Sequence, residues 1–123
     1  MKTITLDGVD YNLTPIETKS KPIILEQHLK FEVYPEDLGE HNWEDAKKVC
    51  EDLGDGWRLP TREELHLMWL NRESIGCFAA AYYWSSSEYS YFNAWVQYFA
   101  SGLQSSHYKN ATYYVRAVRD VKI

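Results

Sequence analysis

The chain has 123 residues, a formal net charge of −5 and two cysteines. That length makes one domain, with a core large enough to need no metal or disulfide staple. The acidic balance excludes a general phosphate-backbone binder, which needs a basic face, so no nucleic-acid partner is expected. No apolar run approaches a membrane span, so membrane insertion is not expected either.

Residues 1–13 alternate apolar and polar around Asp7-Gly8, the strongest short signal for a hairpin. The start, Met1 to Asp7, has no apolar segment of the signal-peptide kind. The expectation is a chain made in the cytosol, or a module cut from a longer one. Pro15 and Pro22 interrupt the next stretch, and Ile23-Ile24-Leu25 suits a short helix or a strand. Lys30 to Tyr34 alternates around Phe31 and Val33 and predicts a strand ended by Pro35. An acidic turn follows, Glu36 to Glu40, read as solvated.

Two helices come next. Asn42 caps the first, with Trp43, Ala46, Cys50 and Leu53 at helical spacing on one face, joined by Val49, and Gly54 as its stop. Thr61 and Glu64 make a T-x-x-E capping box for the second, whose stripe is Leu65, Met68 and Trp69. Cys50 on an apolar helix face acts as a small hydrophobe, although two cysteines allow one disulfide with Cys77. Neither cysteine has zinc-ligand spacing, so no metal or other cofactor is expected.

After Ala81 the pattern turns to short strands: Tyr83–Ser85, Ala94–Phe99, Leu103–Tyr108 and Tyr113–Val118. Turn signals fall at Ala100-Ser101-Gly102 and Lys109-Asn110. Helices followed by an antiparallel meander predict an α+β fold. From Tyr82 to Val115 the only formal charges are Glu88 and Lys109, and this stretch holds most of the tyrosines and serines. Tyr gives large amphipathic contact area at low entropy cost, and Ser and Asn give adaptable hydrogen bonding. Trp57, Trp69, Trp84 and Trp95 read as core anchors. Arg58, Arg116 and Arg119 read as structural ion-pair partners of carboxylates such as Glu63, Glu64 or Glu88. Ser85-Ser86-Ser87 reads as backbone-capping, because no nearby His or acid completes a triad.

The ordered series Asn42-Trp43-x-x-Ala46, Leu53-Gly54-x-Gly56-Trp57-Arg58-Leu59-Pro60-Thr61-x-x-Glu64, Tyr83-Trp84-Ser85-Ser86-Ser87-Glu88, Ala94-Trp95 and Tyr114-Val115-Arg116-Ala117-Val118-Arg119 resembles the bacterial and phage branch of the C-type lectin fold. That branch includes the C-terminal domain of collagen-like adhesins and the variable proteins of diversity-generating retroelements. The resemblance covers roughly residues 30–120. It implies a C-type lectin-like fold, two helices packed on short antiparallel strands, with residues 1–29 as an N-terminal hairpin and connector and 30–123 as the ligand-binding domain.

In the variable proteins, adenines of AAY codons are rewritten. Such a codon can become Tyr, Ser, Phe, His, Val, Thr or Ala, and cannot become Trp, Lys, Glu, Gln or Met. The resemblance therefore implies a candidate binding set of Tyr89, Ser90, Tyr91, Phe92, Val96, Tyr98, Ser101, Ser105, Ser106, His107, Tyr108, Asn110, Thr112 and Tyr113. Trp95, Gln97, Gln104 and Lys109 fall between them as framework. Strand alternation places Trp95 and Phe99 toward the core and Val96 and Tyr98 toward the ligand.

The implied function is non-catalytic binding of a protein or glycan on a target cell surface, from a virion such as a phage tail or from a cell surface. Relatives include monomers and trimers, so an oligomer is admitted. The alternatives are a fixed lectin-like adhesin or structural module without diversification, and a relative of the formylglycine-generating enzymes, which share the R-L-P-T-x-x-E turn. The chain lacks the C-terminal cysteine pair of the enzymes. It also lacks the E-P-N, Q-P-D and W-N-D ligand motifs of calcium-dependent lectins.

Overall fold

The structure is a computed structural model, and it describes residues 3–4 and 30–121. The short strand β1 (Thr3–Ile4) lies within the predicted N-terminal hairpin. The Asp7-Gly8 turn and the connector through residue 29 lie outside the described residues.

The fold is α+β and lectin-like, with three helices and two sheets among the described residues. β2 (Phe31–Val33) forms where alternation predicts it and is buried at Phe31 and Val33. It pairs antiparallel with β1 on one side and with β8 (Val118–Asp120) on the other. The second sheet runs β3 (Glu40–His41), β7 (Tyr113–Tyr114), β4 (Tyr82–Glu88), β5 (Asn93–Tyr98) and β6 (Gln104–Tyr108). β4 and β7 are parallel and the other pairs antiparallel. Two details depart from expectation. β3 arises inside the predicted acidic turn. The predicted strand Tyr113–Val118 is divided, its start in one sheet and its end in the other.

Helix α1 (Trp43–Glu51) begins where Asn42 accepts a hydrogen bond from Asp45 N at 2.9 Å. Glu44 and Asp45 in its first turn complement the positive end of the helix dipole. Its buried residues are Trp43, Ala46 and Cys50; of the rest of the predicted stripe, Val49 is half-buried and Leu53, also half-buried, lies past the helix end. Helix α2 (Arg62–Leu70) carries the full capping box between Thr61 and Glu64 and buries Leu65 and Met68. A single-turn helix, α3 (Arg72–Ile75), follows and ends at Gly76, whose φ of 85° excludes most side chains.

Both faces of the β4–β5 pair are covered. On one face Trp43, Ala46 and Cys50 of α1 join Trp84, Ala94 and Val96. On the other, Leu65 and Met68 of α2 join Tyr83 and Phe99. Two buried indoles have their N–H groups satisfied: Trp43 donates to the Ser85 carbonyl at 2.8 Å and Trp84 to the His41 carbonyl at 2.7 Å. Cys50 and Cys77 are both free thiols, the first buried and the second exposed. Burial pushes the Cys50 thiol up to about 12, with the Glu51 charge adding to it.

Ion pairs tie the elements together, with partners only partly as expected. Arg58 makes a two-pronged contact with buried Glu64 at 2.8 and 2.9 Å, and reaches Asp120 at 2.6 Å. Arg119 pairs with Glu32 at 2.7 Å, joining β8 to β2. Arg116, 1% exposed, pairs with Asp37 at 2.8 Å. Its remaining donors meet the carbonyls of Cys77 at 2.6 Å, Tyr34 at 3.3 Å and Gly76 at 3.4 Å. Asp37 also accepts from the Tyr83 hydroxyl at 2.7 Å. Glu63 makes none of these contacts and Glu88 pairs with Lys109 instead.

Removing one partner of a buried pair leaves an uncompensated charge. Arg116→Ala is therefore expected to cost about 3–5 kcal/mol. Arg116→Lys should recover only part of it, since an ammonium lacks the fork that serves four acceptors. Urea denaturation midpoints check both.

Candidate ligand-binding surface

In the meander of β4, β5 and β6, the β4–β5 and β6–β7 turns fall at one end and the β5–β6 turn at the other. The first turn displays Tyr89, Ser90, Tyr91 and Phe92, and the second Asn110 and Thr112, all exposed. With Tyr108 at the end of β6, this end carries four large aromatics in the open: Tyr89 61%, Tyr91 83%, Phe92 67% and Tyr108 67%. Tyr91 and Phe92 meet edge to face with ring centroids 4.9 Å apart. Ser101 sits in the β5–β6 turn, separated from this tip by the length of β5, about 20 Å at the usual rise per strand residue.

The tip is braced from beneath, with the half-buried Lys109 at the centre. Lys109 donates to Glu88 Oε2 at 2.6 Å and to the Tyr91 carbonyl at 2.8 Å, locking one turn against the other. Its ammonium also lies over the Trp43 ring. That hydrogen bond, and then the lysine charge, holds the Glu88 carboxyl below its usual range. A bulge in β4 between Trp84 and Glu88 is shaped by the serine run. Ser85 Oγ donates to the Trp95 carbonyl and accepts from Ser87 N, and Ser87 Oγ accepts from Arg62 N. These serines serve the backbone, as expected.

A second group lies on the same face as α1, at the edge of the cluster that α1 covers. Tyr98 stacks on Tyr82 at 4.7 Å, and His107 and Tyr113 close around Tyr82 at 4.8 and 5.3 Å. His107 bridges the cluster, Nε2 to Ser105 Oγ at 3.0 Å and Nδ1 to the Tyr113 hydroxyl at 2.6 Å. All of these side chains are half-buried. Ser106, also half-buried, points to the opposite face beside Trp95.

Two placements correct the reading from alternation. Val96 does not face the ligand: it is fully buried among Trp43, Trp84 and Val115. Alternation sorts β5 into its two faces, but both faces are covered, one by α1 and one by α2. Trp95 is not a core residue: it is half-exposed, with the Arg62 guanidinium 3.5 Å from its ring centroid and Tyr89 edge-on at 5.4 Å. Phe99 is buried as expected. Tyr82, Glu44 and Glu88 belong to these surfaces and are absent from the sequence-derived set. Tyr82 stands one residue ahead of the predicted strand Tyr83–Ser85 and is placed by its pairing with Tyr98; nothing local marked Glu44.

A model of the Lcl C-terminal domain matches residues 19–119, most of the chain. The chain belongs to that family. It is a family of C-type lectin-like domains of phage and bacterial variable proteins, one of binding modules and not of enzymes. A search of curated proteins returned no match. For an Lcl C-terminal domain, binding of protein or carbohydrate is the general expectation. The chemistry on display at both surfaces, aromatic rings with hydroxyls and amides, is that of contact and hydrogen bonding. Among the described residues no group of three or more His, Cys, Asp or Glu could hold a metal ion.

Burial holds the His107 imidazole below its ordinary 6.5. A histidine less basic in the folded than in the unfolded chain favours unfolding as it protonates. Its cost is absent well above pH 6.5, grows as the pH falls below that value, and levels off beneath the folded pKa. The difference in urea midpoint between the wild type and His107→Gln should therefore shift in the variant's favour between pH 7.5 and pH 5.

Proposed function

We propose that this Lcl C-terminal domain is a non-catalytic receptor-binding module whose aromatic tip engages a protein or glycan on a target cell, and that its exposed positions are diversified by a retroelement. One observation carries the reading: the residues that adenine rewriting cannot produce are the ones tied into the framework. Gln97 is buried and donates to the Gly102 carbonyl at 2.8 Å. Gln104 exchanges hydrogen bonds with Arg62 and donates to Gln97 Oε1. Trp95 lies under Arg62, and Lys109 locks the tip. Between them Tyr89, Ser90, Tyr91, Phe92, Ser101, Tyr108, Asn110 and Thr112 are exposed. Such positions tolerate rewriting, because exposed substitutions typically cost within about 0.5 kcal/mol. Buried Val96 falls outside that set. The module would work from a virion or from a cell surface.

A fixed lectin-like adhesin is the second reading. It is favoured by the mutual packing of Tyr98, His107 and Tyr113 around Tyr82, since interlocked side chains do not vary independently. The DNA around the gene separates the two. A nearby copy of the coding region for residues 89–113, differing only where the copy has adenine and lying beside a reverse transcriptase gene, is expected on the first reading. Its absence leaves a fixed adhesin.

The tip itself has its own test. Tyr91→Ala, Phe92→Ala and Tyr108→Ala should each leave thermal stability within about 0.5 kcal/mol of wild type. Each should also weaken adhesion to cells that bind the parent domain. Unchanged adhesion by all three removes the tip as the binding site.

A further inference from the structure

Between the β4–β5 turn, the β6–β7 turn and the first turn of α1 lies a cavity of about 390 Å³. Its lining includes Glu44, Glu88, Tyr91, Phe92, Tyr108 and Lys109. Building on the tip as the binding surface, we infer that this cavity takes a cationic side chain, the guanidinium or ammonium of an Arg or Lys presented by a protein partner.

The exposed charges at the cavity have one sign. Glu88 and Glu44 carry their carboxylates outward, 58% and 73% exposed. The nearby cations are less exposed, Lys47 at 35%. Lys109 is 17% exposed and saturated by Glu88 and the Tyr91 carbonyl. Lys47, which pairs with Glu44 at 3.4 Å, has its ammonium over the Trp43 ring, 3.8 Å from the centroid. These four formal charges cancel, yet the carboxylates are more exposed than the ammonium groups, so a group entering from solvent meets carboxylate oxygens and ring faces first.

Ring geometry points the same way. Tyr91 and Phe92 stand at 84° to each other, making a corner and not a flat platform. A pyranose stacks best on a flat platform. A compact cation gains from every ring face within about 6 Å. Three exposed aromatics beside two outward carboxylates therefore favour a basic side chain over a neutral sugar.

The test titrates the intact domain with acetyl-Gly-Arg-Gly-amide, its Lys and Gln counterparts, and simple methyl glycosides, following the ring resonances of Tyr91, Phe92 and Tyr108 by NMR. The Arg and Lys peptides should shift these rings saturably, and more weakly as salt is raised, while the Gln peptide leaves them unmoved. The double variant Glu44→Gln, Glu88→Gln should weaken the Arg peptide by about five-fold or more. A thermal melt shows that the variant is folded, and Glu44→Gln alone, which leaves the Lys109 contact intact, should act in the same direction. Absent shifts, equal shifts from the Gln peptide, or undiminished binding to both variants overturns the inference. Glycosides moving the same rings overturn it too, while leaving the tip as the binding surface. Loss of the tip itself would show separately, as cell adhesion indifferent to the alanine variants.

Discussion

The buried Arg116–Asp37 pair is the contact on which the arrangement of layers depends. Arg116 lies between the two sheets, where Val115 to Ala117 pass from one to the other. Its guanidinium gathers carbonyls from the segment after β2 and from the end of α3, and Asp37 relays the contact to the hydroxyl of Tyr83 in β4. Without a charge there, these irregular backbone segments would bury carbonyls lacking donors, each costing roughly 1–3 kcal/mol. The pair itself is held by geometry as much as by charge: five donors in a rigid fork serve four acceptors at once. A loop-rich structure of this size therefore obtains its definition from polar satisfaction as well as from its apolar core.

That rigidity lies beneath the exposed aromatic tip. The tip aromatics rest on turns whose backbone is secured by Lys109, by the Ser85–Ser87 bulge and by the stacked Arg62–Trp95 pair. Exposed side chains on a braced backbone form a site that binds with little reordering, which is the general route to affinity from modest area. The Tyr82 cluster is a different kind of surface. Its rings are committed to one another and to His107, so it offers a preformed apolar shelf and not a set of independent contacts.

How far the fold was legible can be argued element by element. Thr61 and Glu64, Asn42, and the Trp43–Ala46–Cys50 stripe announced both main helices because capping and periodicity are local properties. The ladder of β4, β5 and β6 was visible for the same reason, in short alternating runs between turn residues. The division of the last predicted strand was not. It depends on Arg116 drawing the chain away from the sheet toward Asp37, a residue far back in the chain. Only the Arg58–Glu64 pair, six residues apart, lay close enough to be foreseen. Of the candidate site, the tip aromatics were legible from composition, whereas Val96 and Trp95 exchanged their expected places. Alternation tells which residues share a face, but not which faces are covered.

The sequence by itself determined the α+β class, the lectin-like family pattern, both helix starts and the charge-poor aromatic stretch, because each is written in neighbouring residues. The tertiary structure alone decided which aromatics meet solvent, which carboxylate each arginine takes, and how Glu44 of α1 comes to share a cavity with Tyr91 and Tyr108. Those outcomes turn on contacts between segments distant in the chain. Burial is a property of the assembled layers, and no single strand carries the record of what covers it.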